Sequence, residues 1–204
     1  MKIKSLRVKN FRLLENIPNI ELDASYTIIV GRNNSGKTSL TELFKKFLNE
    51  GSKFQFEDFS LHSYAKFQES FKLYKDYKDE TNEEEKEEKE RVFRESIPKI
   101  ELQITFIIEA SDGSLDLSGL DLDDTTNEYK VLLEYTFKNA LEFFEKAILQ
   151  SDFLKYLKKN FDSNLEIRSF FIDSTGLKNK FIGNIGDIFK TDFIDAQRHL
   201  DDNS

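Results

Sequence analysis

The alternation of apolar and polar side chains predicts three strands near the amino terminus. Residues 3–8 alternate between apolar and polar or charged side chains, as in a half-buried β-strand, and residues 19–22 repeat this alternation more briefly. Residues 26–30 are instead continuously β-prone and run into Gly31, which is typical of a strand that is buried on both faces. We therefore expect the third strand to be the central one.

A helical periodicity follows the third predicted strand. Apolar residues after Lys37 recur three or four positions apart, so they lie on one face of a helix, and Gly51 stands where such a helix would end. These apolar positions are Leu40, Leu43, Phe44, Phe47 and Leu48. Residues 1–50 therefore predict three strands, a loop and a helix.

The middle of the chain contains a strongly charged segment. Within residues 66–96, the run 79–91 has no apolar side chain to bury, so it predicts a solvated helix or a disordered insertion, and less readily a segment that docks a partner. Residues 99–108 and 128–137 then have the composition of strands. A polar, turn-rich stretch joins them, so we expect an antiparallel pair.

Helical and strand-like patterns alternate again towards the carboxy terminus. Apolar residues between 141 and 157 predict one interrupted helix or two short ones, and strand-like residues follow at 165–172 and 193–194. The sequence contains no internal repeat. Its 20 Phe and 7 Tyr residues are enough to build an aromatic core.

Composition narrows the possible functions. The chain has 204 residues, with 38 acidic and 30 basic side chains and a formal net charge of −8, so it is not a uniformly basic nucleic-acid clamp. With no Cys and only two His, the sequence argues against a thiolate or multi-histidine metal centre. No apolar run approaches the about 18 residues that span a membrane, and no signal sequence is present, so we expect a cytoplasmic protein without a membrane partner.

Residues 31–38 carry the most specific motif in the sequence. They read Gly-Arg-Asn-Asn-Ser-Gly-Lys-Thr and fit the phosphate-binding pattern G-x-x-x-x-G-K-[ST] without exception, between a predicted strand and a predicted helix. Gly31 and Gly36 permit backbone angles that other residues avoid, so successive N–H groups can point at a phosphate near the positive end of the helix. An ordinary glycine turn would not also place a lysine and a hydroxyl in register.

We expect this loop to bind a nucleotide with Mg²⁺. Lys37 would reach the β- and γ-phosphates and is the candidate catalytic residue, Thr38 would coordinate Mg²⁺, and Ser39 is placed for the α-phosphate. The candidate nucleotide-binding set is Gly31, Arg32, Asn33, Asn34, Ser35, Gly36, Lys37, Thr38 and Ser39. The side chain of Arg32 could contact phosphate or face solvent.

Three segments point to one family of nucleotide-binding proteins. Residues 3–12 look like the pattern I-x-x-L-x-I-x-N-F-R, with Val8 at the second isoleucine position, residues 33–38 read Asn-Asn-Ser-Gly-Lys-Thr, and residues 193–198 read Phe-Ile-Asp-Ala-Gln-Arg. Together they resemble the RecF/SMC branch of the ABC-type ATPases and, within it, the OLD (overcoming lysogenization defect) family. The likeness is good over residues 1–50, brief over residues 193–202, and only general between them.

The resemblance implies an α/β P-loop NTPase fold. Residues 1–204 would form the amino-terminal lobe of an ABC-type, AAA-family ATPase head, with a charged helical insertion at 66–96 and an antiparallel β-subdomain within 97–204. It also implies ATP and Mg²⁺ as cofactors, a carboxy-terminal lobe of the same polypeptide, and two heads that dimerise on ATP. Such heads control DNA or nuclease activity in anti-phage defence or DNA repair.

Two further site residues follow from the resemblance alone. Arg12 would lie near the nucleotide together with Asn10 and Phe11; the alternative is that Phe11 packs in the core and Arg12 is a solvated turn residue. Gln197 would stand where the family places the Q-loop glutamine, which contacts Mg²⁺ and the attacking water. The alternative for Gln197 is a surface loop glutamine.

Two motifs of an ABC-type ATPase do not occur in order in this sequence. Residues 117–121 begin like the signature L-S-G-G-[EQ] but lack its second glycine, and residues 105–109 imitate a Walker B strand with only one carboxylate. We therefore expect an amino-terminal fragment that lacks the catalytic glutamate and hydrolyses ATP slowly or not at all.

Alternative functions remain open at this point. A non-hydrolysing, nucleotide-gated scaffold is the main one, and a P-loop GTPase is weaker: residues 173–176 fit D-x-x-G but lie about 135 residues after the loop, where GTPases use roughly 40 to 50. Binding to DNA follows only from the resemblance. It would use a local basic segment that comprises Lys2, Lys4, Arg7, Lys9 and Arg12.

Overall fold

The protein is a mixed α/β chain, and a computed structural model describes residues 1–33, 35–49, 53–108, 127–181 and 185–192. The described strands are β1 (Lys2–Phe11), β2 (Leu14–Glu21), β3 (Ile100–Ile107), β4 (Glu128–Phe137), β5 (Leu165–Ile172) and β6 (Lys178–Lys180). The described helices are α1 (Lys37–Leu48), α2 (Leu61–Lys78), α3 (Glu83–Ser96), α4 (Ala140–Ile148), α5 (Phe153–Asn164) and α6 (Ile185–Ile188), with a 3₁₀ turn at Phe56–Asp58. None of these described helices is long and apolar enough to cross a membrane.

The six strands form one antiparallel sheet in the order β2-β1-β3-β4-β5-β6. Alternate residues of each strand point to the same face, and on β3 the residues Ile100, Leu102 and Ile104 on one face are fully buried. The strands predicted at 99–108, 128–137 and 165–172 are confirmed, as is the antiparallel pairing of β3 with β4. Periodicity therefore located most of the sheet.

Aromatic side chains fill the layer between the sheet and the helices. Phe93 of α3 contacts Tyr74 of α2 and Phe144 of α4, with ring centroids 5.0 Å and 4.9 Å apart. The fully buried phenylalanines are Phe11, Phe59, Phe67, Phe93, Phe106, Phe143, Phe144 and Phe161. Each such burial contributes about 1.5 to 3 kcal/mol, so this aromatic layer is the main force that holds the helices to the sheet.

Three helices begin at a side-chain cap. Asn82 accepts hydrogen bonds from two amides of the first turn of α3, and Asn139 and Asp152 each accept one at the start of α4 and α5. Residues 141–157 accordingly form two short helices. Within residues 79–91 the chain is helical from Glu83, so the solvated helix describes this segment and the disordered alternative is wrong; Phe93 is the buried residue that holds α3 to the core.

The central strand predicted at residues 26–30 is wrong. These residues join no strand of the described sheet, and Tyr26, Ile28 and Val30 are 74%, 73% and 83% exposed. A β-prone segment becomes a strand only where a neighbouring strand satisfies its N–H and C=O groups, and the described sheet offers none beside it. The segment before Gly31 therefore stands outside the sheet as an exposed apolar run.

Candidate functional site

Residues 31–38, called the P-loop below, lead directly into α1. The helix begins at Lys37, and Gly36 precedes it with φ +89°, in the left-handed region that favours glycine. Among the described residues, no side chain caps this end of α1, and its first turn contains no acidic residue. The first amides of the helix and its positive dipole end are therefore open to an anion.

Both glycines of the P-loop stand where a larger residue would collide. A Cβ on Gly36 would lie 2.8 Å from Leu14 Cδ2, and a Cβ on Gly31 would lie 2.6 Å from Ser35 Oγ. The contact with Leu14 brings the turn between β1 and β2 against the P-loop. Backbone freedom explains Gly36, whereas close approach within the loop explains Gly31.

The ammonium group of Lys37 lies inside the P-loop. Its Nζ donates hydrogen bonds to the carbonyl oxygens of Gly31 at 2.6 Å and Arg32 at 2.7 Å, and it lies 3.5 Å from Ser35 Oγ. The partners of the lysine in this structure are neutral oxygens of the loop itself, and its contact with phosphate stays a prediction. Carbonyl oxygens bind an ammonium less strongly than phosphate oxygens do, so they can be exchanged for a polyanion.

The two hydroxyl groups after Lys37 differ in exposure. Thr38 is exposed at the start of α1, while Ser39 is only 8% exposed. A hydroxyl at an exposed helix start can take one coordination position on Mg²⁺. In the described ranges no three His, Cys, Asp or Glu side chains converge as metal ligands. Coordination of Mg²⁺ by Thr38 stays a prediction.

Arg12 is engaged by a carboxylate of the core. Its Nε and Nη2 lie 2.8 Å and 2.7 Å from Asp58 Oδ1, and its guanidinium lies over the Phe11 ring, 5.1 Å from the centroid. Phe11 is fully buried, as one alternative predicted, but Arg12 is a paired residue and not a solvated one. Its contact with a nucleotide stays a prediction, supported by the position of the neighbouring Leu13, whose Cβ would be 3.8 Å from a Cβ on Gly36.

Sequence reasoning missed Asp58. This residue is 1% exposed and follows Arg12 by 46 positions, so no local pattern links the two. The one available signal is an acidic residue among Phe54, Phe56 and Phe59, because a charge in an apolar stretch needs a partner when it is buried.

Most of the amino-terminal basic segment is paired with acids of the sheet and core. Lys4 contacts Glu128 at 2.6 Å and Lys9 contacts Glu101 at 3.0 Å. Arg7 stays exposed and lines a groove of about 740 Å³ with other side chains of both charges. These pairings reduce the local positive field that was expected to favour nucleic acid.

The D-x-x-G segment at 173–176 forms a turn that joins β5 to β6. Asp173 Oδ1 accepts hydrogen bonds from the Thr175 amide at 2.9 Å, the Thr175 hydroxyl at 2.6 Å and the Leu177 amide at 2.9 Å. The hydroxyl of Thr175, followed by the other donors, lowers the pKa of Asp173. This hairpin explains the motif without a nucleotide.

Several predicted residues lie outside the described part of the chain. They are Asn34 of the P-loop, Gln197 with the strand at 193–194, and the signature-like residues 117–121. Of the Walker B-like residues, 105–107 belong to β3, which pairs with β1 and β4 in the antiparallel sheet. Arg32 and Asn33 are exposed beside Lys37.

This chain is similar to a known protein family and to a curated protein. A family model described as AAA ATPase domain matches residues 1–203. Among curated proteins, endonuclease GajA from Bacillus cereus (strain HuB5-5) is 28% identical over 176 residues. That match covers 83% of this chain and 23% of GajA, so the chain spans less than a quarter of the length of this relative.

Proposed function

The chain belongs to the AAA ATPase domain family, and from this premise we propose that it binds ATP with Mg²⁺ at the P-loop. The observation that carries the proposal is the position of Lys37, whose ammonium lies within 2.7 Å of two loop carbonyl oxygens. Phosphate oxygens of ATP replace these carbonyls, and the open amides at the start of α1 add donors for the same anion.

Different residues of the P-loop have different roles in binding the phosphates. Lys37 contacts the β- and γ-phosphates and stabilises the charge that develops when the terminal phosphoryl group is transferred. Thr38 would hold Mg²⁺, which would neutralise part of the charge of the phosphates. Arg12 and Gln197 are secondary candidates, for a phosphate contact and for orientation of the attacking water.

In this proposal a carboxy-terminal ATPase lobe supplies the signature and Walker B motifs that do not occur in order here. The exposed apolar residues 26–30, with Val30 83% exposed, are a surface that such a lobe would cover. The proposed fold is thus the amino-terminal lobe of a P-loop ATPase head in the OLD or RecF branch.

The activity that we propose for the complete protein is based on its similarity to GajA. Because GajA is named an endonuclease, we propose that ATP binding by paired heads controls a nuclease that acts on DNA, in the manner expected of a defence protein. Catalytic residues of the nuclease would lie outside these 204 residues. Lys4 and Lys9 of this lobe are already paired with acids, which makes them less available to contact the phosphates of DNA.

Calorimetry with ATP, GTP and ADP in the presence of Mg²⁺ tests nucleotide binding. We expect ATP to bind to the unmodified chain and to lose most of its affinity for Lys37→Ala. The matched control is Lys180→Ala, which removes an exposed lysine from β6. Preference for GTP would contradict the ABC-type assignment, and equal affinity of the two lysine variants would remove the P-loop as the site.

Hydrolysis separates an ATPase from a nucleotide-gated scaffold. The 204-residue chain is expected to turn over ATP very slowly, because the signature and Walker B motifs do not occur in order in its sequence. An ordinary rate of about 1 to 10 per second, lost in Lys37→Ala, would contradict this expectation. Tight ATP binding without turnover in a protein that includes an Asp-Glu Walker B motif would favour the scaffold.

A further inference from the structure

We propose that Asp58 is a positioning residue of the nucleotide site. Together with Arg12 and Lys46 it forms a buried charged group, called the Asp58 cluster, that fixes the turn between β1 and β2 against the P-loop helix. This inference rests on the proposed function, because it takes the P-loop as the site of a nucleoside triphosphate. Its test below gives a separate result if that function fails.

Every oxygen of the Asp58 carboxylate is used. Oδ1 accepts from Arg12 Nε at 2.8 Å and Nη2 at 2.7 Å, while Oδ2 pairs with Lys46 Nζ at 3.0 Å and accepts from the Gln55 amide at 2.7 Å. The carboxylate side chain is 2% exposed and the Lys46 side chain 10% exposed. A buried carboxylate with two cations and a backbone donor is fully compensated, so loss of Asp58 would leave two cations without their shared partner.

The backbone around Arg12 is bound to the same segment. The Arg12 amide donates to Asp58 O at 2.8 Å, and the Ser60 amide donates to Asn10 O at 3.0 Å, so residues 58–60 run beside the turn. Asn10 and Arg12 have φ of +60° and +47°, in the left-handed region that residues other than glycine avoid. Such angles persist where surrounding contacts fix them, and they concentrate beside functional sites.

The cluster connects both ends of α1 to one turn. At the start of the helix, a Cβ on Gly36 would lie 2.8 Å from Leu14 Cδ2, so residues of the turn touch the P-loop directly. Near the end of the helix, Lys46 reaches Asp58, which holds Arg12 of the same turn. Lys46 lies nine positions after Lys37, which is about 13 Å along the helix axis, so it cannot touch phosphate at the P-loop.

The arrangement also leaves a donor on Arg12. Its contacts with Asp58 use Nε and Nη2, and they do not use Nη1. The Arg12 side chain is 35% exposed, so this nitrogen can still meet an anion. Asp58 thereby sets the orientation of Arg12 as well as the distance between the turn and Gly36, and both are conditions for holding a triphosphate.

Two variants remove the cluster without touching the P-loop. Asp58→Asn keeps the size of the side chain and removes its charge, and Lys46→Met removes one cation at a distance from phosphate. The control is Lys78→Met, which breaks the pair of Lys78 with Glu145, 2.8 Å apart, on α2 and α4. Each variant is measured in two ways: affinity for Mg·ATP by calorimetry, and hydrogen exchange of peptides from the turn, the P-loop and the strands β3 and β4.

We expect both cluster variants to weaken Mg·ATP binding by about tenfold, the effect of removing a group that positions a ligand contact. Exchange should rise about tenfold in residues 10–16 and 31–44, while β3 and β4 keep the exchange of the unmodified chain. Lys78→Met should change neither quantity by more than about twofold. The local change in exchange is the result that a merely stabilising ion pair would not produce.

Two results would overturn the role of Asp58. One is unchanged affinity and unchanged exchange in both cluster variants; the other is an equal rise of exchange in β3 and β4, which would mean general loss of stability. If Asp58→Asn fails to fold, Lys46→Met carries the test alone. If the unmodified chain and Lys37→Ala bind ATP equally or not at all, the proposed function fails, and exchange in the P-loop still decides whether the cluster positions it.

Discussion

Alanine at position 36 would test how far the P-loop depends on its second glycine. The φ of +89° lies in the left-handed region, which costs a residue with a Cβ about 1 to 2 kcal/mol. The new Cβ would also lie 2.8 Å from Leu14 Cδ2, and Leu14 is 7% exposed, so its side chain has to shift within packed surroundings. Overpacking of this kind costs about 1 to 3 kcal/mol, and the two effects together predict a loss of about 2 to 5 kcal/mol.

Gly176 provides a matched control for the backbone effect. It has φ +87° in the hairpin between β5 and β6, and a Cβ there would meet nothing within 4 Å. Gly176→Ala should therefore lose only about 1 to 2 kcal/mol. The difference in free energy of unfolding between the two alanine variants measures the contact with Leu14.

Urea denaturation followed by circular dichroism gives both free energies of unfolding, and calorimetry gives the affinity for Mg·ATP. We expect Gly36→Ala to bind ATP at least about tenfold more weakly, whereas Gly176→Ala binds as the unmodified chain does. In the double variant Leu14→Ala, Gly36→Ala the loss in free energy of unfolding should be smaller than the sum of the two single losses, since removal of the Leu14 side chain removes the collision. Equal destabilisation by the two glycine variants, or unchanged ATP affinity in Gly36→Ala, would refute the account of the loop given above.

Two further predictions concern the helical hairpin of α2 and α3. Phe93→Ala should lower the free energy of unfolding by about 3 to 5 kcal/mol in urea denaturation, because it empties a fully buried site. The control is Val92→Ala, at a residue that is 39% exposed, which should change the free energy of unfolding by no more than about 0.5 kcal/mol. Similar losses in the two variants would contradict the packing of α3. The hydrogen bond from Lys89, followed by those from two backbone amides, lowers the pKa of Glu80 to about 2. Because this folded-state pKa is depressed, the contact stabilises the hairpin above pH 4.5 and is lost as the pH falls towards 2. Titration of the Glu80 carboxyl by NMR should show a midpoint of about 2. A midpoint that stays at this low value in Lys89→Met would contradict the assignment of the lowered pKa to Lys89.

The parts of the fold that follow from the sequence are those set by local periodicity. The strand-like composition of β3, β4 and β5 lies within each strand, and the apolar spacing after Lys37 lies within α1. The P-loop belongs to the same class, because glycine, lysine and threonine act within eight neighbouring residues. In these places the residues that produce the structure lie within the same short segment as the sequence pattern that predicts it.

Features that depend on partners far away along the chain could not be predicted from the sequence. Residues 26–30 favour strand by composition, yet a strand needs a neighbour to bond to, and the described sheet does not provide one. Arg12 meets Asp58 across 46 positions, which no periodicity can reveal. Asp173 illustrates the opposite error, because its motif suggested a phosphate switch while its carboxylate closes a hairpin with donors two to six positions away.

The positions of the aromatic core and the P-loop imply that stability and nucleotide affinity are separable in this protein. The core lies between the sheet and the helices, and Phe93, Phe144 and Tyr74 contact one another without any residue of the P-loop. The P-loop in turn follows an exposed segment and meets the rest of the molecule through Leu14 and the helix that carries Lys46. Variants of Phe93, Phe144 and Tyr74 should therefore change the free energy of unfolding and leave ATP affinity unchanged, as long as the chain stays folded. Variants of Leu14, Lys46 and Asp58 should reduce affinity by more than their effect on stability would explain, because these contacts determine where the P-loop lies.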